Sequence, residues 1–182
     1  MAKEKFWKIL ESKKGFAGNW IDINLDKIEL PDKTSIEFEA IGFHRNGAGV
    51  VAENNNGEII LVKNYRYIND YYSWEVPAGT IPPETEPSEC IIEELKEEAG
   101  CEVNKDNLKY LGNYFPSIGS SSQIFHCFYA KDVIKISDDI DGNEIMEVKW
   151  FSKDEIIKMI REGVIKDGFS LYLLLRWLYL IE

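Results

Sequence analysis

Apolar and polar positions alternate over residues 20–30, which read Trp-Ile-Asp-Ile-Asn-Leu-Asp-Lys-Ile-Glu-Leu, and again over residues 35–43. A period of two marks strands with one buried face, and Pro31-Asp32-Lys33 between them is a turn. The pair predicts a hairpin, a small sheet ahead of the main domain. Residues 48–52 and 58–65 flank Asn54-Asn55-Asn56-Gly57, a sequence suited to a hairpin turn. Residues 72–76 read as a strand leading into Pro77-Ala78-Gly79, residues 108–114 and 123–130 as strands around a polar loop, and residues 146–151 as one more.

The period changes between Pro87 and Gly100, where Ile91, Ile92, Leu95 and Ala99 form one apolar stripe of a short helix. Pro87 suits the first helical turn, where its missing N–H costs nothing. Gly100 suits the position just past the helix, where a left-handed backbone is wanted. Ser152-Lys153-Asp154-Glu155 opens a second helix with a capping box. Residues 167–180 predict a final apolar helix. No internal repeat or low-complexity linker interrupts the chain, and strands and helices mixed in this order predict an α/β sandwich.

Composition narrows the partners. The 182 residues are 45% apolar and 29% charged, which is globular. A net charge of −11 argues against nucleic acid and anionic membranes as primary partners, and an anionic substrate would need local basic groups or metal ions. Cys90, Cys101 and Cys127 have neither CxxC spacing nor an even count, so reduced thiols in a cytoplasmic setting are the simple expectation. The opening Met-Ala-Lys-Glu-Lys-Phe-Trp lacks an apolar signal region. The most apolar segment, residues 171–181, is too short to span a bilayer and contains Arg176.

The candidate chemistry lies in the helix after Pro87. Glu94, Glu97 and Glu98 stand at i, i+3 and i+4 and share a face. Like charges so placed destabilise an isolated helix, so the face is either solvated, as most charge runs are, or holds a cation. Mg2+ takes carboxylate oxygens together with substrate phosphates.

The loop before that helix favours the cation. Gly79, and then Glu94-Leu95-Lys96-Glu97-Glu98-Ala99-Gly100-Cys101, resemble the signature of the Nudix hydrolase superfamily: Gly, five residues, Glu, seven residues, then Arg-Glu-hydrophobic-x-Glu-Glu-x-Gly-hydrophobic. Two positions depart from it. Thr85 stands for the first glutamate, flanked by Glu84 and Glu86, and Glu93 stands for the arginine. In the family those two side chains commonly form an ion pair that supports the metal ligands, and its loss weakens such sites. Trp7-Lys8-Ile9-Leu10-Glu11-Ser12, Tyr65-Arg66-Tyr67, Trp74-Glu75-Val76-Pro77-Ala78-Gly79 and Pro116, sixteen residues after Gly100, resemble the ADP-ribose pyrophosphatase branch.

The resemblance implies an α/β/α sandwich with a mixed sheet: an N-terminal antiparallel β extension over residues 1–44 and a hydrolase domain over 45–182. The extension is expected to serve a homodimer and its substrate site. The implied reaction is hydrolysis of ADP-ribose, or a related nucleoside diphosphate sugar, to a nucleoside monophosphate and a sugar phosphate. Mg2+, with Mn2+ as the other option, would be held first by Glu94 and Glu98, with Glu97 close behind and the carbonyl of Ala78 contributing. Arg66 offers a planar fork to phosphate. The loop 116–123, where the branch commonly carries a basic glutamate, has no carboxylate here. Ser122 and Gln123 can orient a water but not take its proton, which leaves Glu97, Glu98 or Glu144 as the catalytic carboxylate. Trp20, Trp74 and Tyr67 are candidates to stack a base, core packing being the commoner use of such residues. His44 and His126 lack metal-ligand spacing, and His126, in an alternating apolar strand, reads as structural. The alternative reading is a catalytically weakened Nudix domain that binds a nucleotide.

Overall fold

The computed structural model describes residues 6–140 and 142–180. Residues 1–5, 141, 181 and 182 lie outside it, so Asp141, which opens the segment Asp141-Gly142-Asn143-Glu144 that carries the candidate Glu144, is not described. The chain forms two compact units, Met1–Arg45 with Ser117–Gln123, and Asn46–Pro116 with Ile124–Glu182.

The first unit is a three-stranded antiparallel sheet in the order β1-β2-β3: β1 Lys8–Ala17, β2 Ile21–Glu29 and β3 Ser35–Phe43. The β2–β3 register runs unbroken from Ile21↔Phe43 to Glu29↔Ser35. Asp32 fixes the connecting turn by accepting from the Thr34 amide at 3.0 Å and its hydroxyl at 2.6 Å. The sequence predicted this hairpin but not β1, whose pairing with β2 slips twice. It also predicted a buried face, whereas Ile28 alone is buried among the described residues of this unit. Serine-rich 117–123 joins the sheet through the Ile41 amide, which donates to the Ser120 carbonyl at 2.8 Å.

The second unit contains β4 Gly47–Ala52, β5 Ile59–Arg66, β6 Tyr71–Glu75, β7 Ala78–Thr80, α1 Pro87–Ala99, β8 Cys101–Glu102, β9 Leu108–Tyr114, β10 Phe125–Ala130, β11 Ile134–Lys135, β12 Ile145–Phe151, α2 Lys153–Arg161 and α3 Gly168–Leu180. A mixed sheet β7-β4-β10-β9, with β4 and β10 parallel, lies beside an antiparallel sheet β12-β5-β6 and a short β11-β8 pair.

Alternation along β4 and β5 feeds two cores. Val51, Ile59 and Leu61 pack with Ile156 of α2 and Leu173, Leu174 and Trp177 of α3. Val50, Ile60 and Val62 pack with Ile91, Leu95 and Ala99 of α1. Helices therefore cover both faces, and the α/β/α sandwich with a mixed sheet expected from the sequence is what this unit forms.

One local expectation is corrected. Asn54–Gly57 is a tight turn, with Gly57 at φ +77° and the Asn54 side chain accepting from the amides of Asn56 and Glu58. Its flanking strands meet only at a Glu53↔Ile59 bridge, because β4 pairs with β7 and β10 while β5 pairs with β6 and β12. The turn signal is local, whereas the assignment of strands to sheets depends on distant partners. The capping box at Ser152 and Glu155 forms as predicted. Asp167 caps α3, accepting from the Ser170 amide and hydroxyl at 2.7 Å each. All three cysteines are free and buried. No described helix is long and apolar enough to cross a membrane.

Candidate active site

Helix α1 starts at Pro87 and ends at Gly100, whose φ of +59° and amide bonds back to Leu95 and Lys96 close it as the sequence predicts. Leu95, Ile91 and Ala99 turn one side of it into the core, which fixes where each glutamate points. At about 100° per residue, Glu98, Glu94 and Glu97 stand roughly 60°, 100° and 160° from the middle of that apolar stripe. Burial follows the same order: Glu98 and Glu94 are half-buried and Glu97 is exposed.

Strand β7 runs past this face. Glu98 Oε2 accepts from the Ala78 amide at 2.9 Å. At the next residue, a Cβ on Gly79 would overlap the Glu94 carboxylate and lie 2.7 Å from its Cγ, so glycine is required for Glu94 to lie against the strand. The result is a cavity of about 500 Å³ walled by Ala78, Gly79, Glu94, Glu98, Arg66 and Glu144.

The electrostatics here are unfavourable to the charged carboxylates. Burial pushes the Glu98 carboxyl up to about 8, with Glu94 and Glu75 adding to the rise and the Ala78 amide and Arg66 opposing it. Burial also raises Glu94, helped by the charges of Glu97 and Glu144. Among the described residues no group of three or more His, Cys, Asp or Glu side chains is gathered closely enough to hold a metal ion. The donor set still fits Mg2+, which usually takes one or two carboxylates, waters and substrate phosphates rather than a full protein cage. A divalent cation would also offset the neighbouring negative charges that add to the burial-driven rise of both pKa values.

Of the residues singled out in the sequence, Glu94, Glu98, Ala78, Arg66 and Glu144 share this cavity, while Glu97 points to solvent outside its walls. Trp20 and Gln123 belong to the first unit. Trp20 is 68% exposed, and the Gln123 side-chain amide donates to the Arg45 carbonyl at 3.0 Å. Trp74 packs edge-on against Phe151 at 4.9 Å, the commoner use of a tryptophan, and Tyr67 is 79% exposed. His126 meets the Tyr110 hydroxyl at 3.2 Å, and burial lowers its pKa. Thr85 donates to the Pro83 carbonyl at 3.4 Å, and Glu93 is exposed.

Sequence reasoning missed Glu75 and Asn64. Glu75 is only 4% exposed and receives both arms of the Arg66 guanidinium, with Nε at 2.9 Å, while Asn64 Nδ2 donates to it at 3.3 Å. The available signal was polar residues at alternate positions of strands that are otherwise apolar, since a buried carboxylate requires partners.

Residues 43–170 match the family profile described as NUDIX domain. The chain is 27% identical to the ADP-ribose pyrophosphatase of Bacillus subtilis (strain 168) over 91% of its own length and 89% of that protein. It is 32% identical to the GDP-mannose pyrophosphatase of Yersinia enterocolitica, covering 86% of this chain and 87% of that one. A crystal structure of an ADP compounds hydrolase superposes with a TM-score of 0.85 over 96% of this chain and 94% of that chain; at 17% identity this likeness concerns the fold. The chain thus belongs to the NUDIX domain family, among its pyrophosphohydrolases.

Proposed function

We propose that this protein hydrolyses the diphosphate of ADP-ribose or a related nucleoside diphosphate sugar, releasing a nucleoside monophosphate and a sugar phosphate, with Mg2+ or Mn2+ as cofactor. The observation that carries the reading is the pairing of Glu94 and Glu98 against Ala78 and Gly79, in a cavity that also receives Arg66. Relatives that act on ADP-ribose and GDP-mannose support the substrate class.

Glu94 and Glu98 would hold the cation with the Ala78 carbonyl. The bound ion supplies neutralisation of phosphate charge and a more acidic attacking water. Arg66, clamped in one orientation by Glu75, presents its remaining guanidinium edge to a phosphate oxygen. Glu144 is the better candidate than Glu97 to take the proton of water, because it faces the cavity. The N-terminal sheet, with Ile9, Leu10, Phe16 and Leu25 exposed, is proposed to pair two copies and to bring Trp20 and Gln123 to the substrate. Free, buried thiols support a cytoplasmic setting.

The test is monophosphate release from a panel of nucleoside diphosphate compounds with Mg2+ or Mn2+. Metal-dependent turnover, lowered at least 10²-fold by Glu94→Gln and by Glu98→Gln, is the expected result. The carboxylate-free segment Ser117–Gln123 favours a second reading, a nucleotide-binding module with weak turnover. Tight binding of the same compounds without product would select that reading.

A further inference from the structure

A second cavity, of about 510 Å³, lies between the β5–β6 hairpin and the start of α3. Its floor is the face of β6 formed by Tyr71, Ser73 and Glu75, and Lys166 and Asp167 close it from the other side. Tyr65 and Arg66 are common to this cavity and the candidate active site. The volume falls within the range of small-molecule sites.

Three features define what it accepts. Ser73 is 3% exposed, lines the cavity, and among the described residues its hydroxyl has no hydrogen-bond partner. A buried hydroxyl left so costs stability unless something else meets it. The charges balance, Arg66 and Lys166 against Glu75 and Asp167, and the free edge of Arg66 is assigned to the adjoining site, so this cavity itself does not select an anion. Lys166 Nζ sits 4.5 Å from the Tyr71 ring centroid, which ties up its charge, while Tyr67 and Ile68 give the rim apolar cover. A neutral group with several hydroxyls matches this lining: it can donate to Asp167 and Glu75, exchange hydrogen bonds with Ser73, and rest its carbon face on the aromatic rim.

We propose that this cavity binds the sugar of a nucleoside diphosphate sugar, the diphosphate lying across Arg66 in the adjoining site. The assignment rests on the proposed function for that diphosphate. It makes Ser73 a specificity-determining residue, because a site built to hydrogen-bond a hydroxyl discriminates strongly against ligands that lack it.

The test separates the sugar from the nucleotide. Ser73→Ala is expected to raise KM for ADP-ribose or GDP-mannose about tenfold, the loss of one buried hydrogen bond. The inhibition constant of ADP or GDP, the same nucleotide without the sugar, should shift less than twofold. Equal shifts for both, or no shift in either, overturn the proposal and leave the cavity to a trapped water. Should no nucleoside diphosphate compound be cleaved, the proposed function falls, and saturation-transfer NMR with free ribose and mannose decides the cavity alone. Signal from the unaltered protein that disappears in Ser73→Val supports the site, and absence of signal from the unaltered protein overturns it.

Discussion

Gly79→Ala separates the metal site from the stability of the fold. The backbone of Gly79 is not among the positive-φ positions, so alanine adds no conformational strain there. The new methyl would overlap the Glu94 carboxylate and lie 2.7 Å from its Cγ. Ordinary carbon contacts are roughly 3.5–4.0 Å, so Cγ must retreat by about 1 Å and the carboxylate by more. Glu94 is half-buried, and its side chain can swing toward solvent. The stability cost should therefore stay within about 1 kcal/mol, as for a surface substitution. The functional cost should be much larger. A displacement of about 1 Å in a reacting constellation can lower the rate on the order of 10²-fold, and disturbed ligand positioning typically lowers metal affinity about 10–100-fold.

Chemical denaturation, Mn2+ binding by calorimetry and kcat/KM against Mg2+ concentration measure the three quantities. Gly49→Ala serves as the contrast, because its methyl would meet the buried Phe169 ring, 2.6 Å from Cζ, which has nowhere to go. It should lose about 1–3 kcal/mol by overpacking. If Gly79→Ala keeps its metal affinity and rate, or destabilises as much as Gly49→Ala, Glu94 is not held where the metal argument needs it.

The Glu98 carboxyl gives a pH signature. Its ordinary value of 4.5 is raised to about 8 in the fold, chiefly by burial, so the folded state retains a proton that the unfolded chain releases. The contribution of Glu98 to the stability of the metal-free protein should thus be fullest below about pH 4.5 and fall by a few kcal/mol as pH rises toward 8. Thermal melts from pH 5 to 8 should show that slope flattened in Glu98→Gln, and an unchanged slope would refute the assignment. Glu75→Gln removes the charge that clamps Arg66. Since the Arg66 side chain is 56% exposed, the stability loss should be about 1–2 kcal/mol rather than the larger cost of breaking a fully buried pair. KM for the diphosphate substrate should rise several-fold, and an unaltered KM would free Arg66 of any need for Glu75.

How far the sequence reached depended on whether a feature is written locally. Helix α1 was legible at both ends because Pro87 and Gly100 each have one good place in a helix, and the first half of β3 because Ile36, Phe38 and Ala40 alternate with polar residues. Strand β1 was hidden: Ile9 and Leu10 are adjacent, Lys13-Lys14-Gly15 follows, and every residue of the strand is exposed, so no period of two survives. The cavity behind Arg66 was equally hidden, since Ser73 and Glu75 become a polar floor only once β6 pairs with β5 and α3 closes over both.

The order of the three glutamates, Glu94 and Glu98 ahead of Glu97, is a different case, because the information was present in the sequence. Sharing a helical face by i, i+3 and i+4 spacing does not make residues equivalent, since that face spans about 100° and the apolar stripe lies to one side of it. Leu95 and Ala99 place Glu98 nearest the core and Glu97 farthest from it. The phase of the acidic positions relative to the buried ones, rather than their spacing from each other, selects Glu94 and Glu98 for the cavity and leaves Glu97 in solvent.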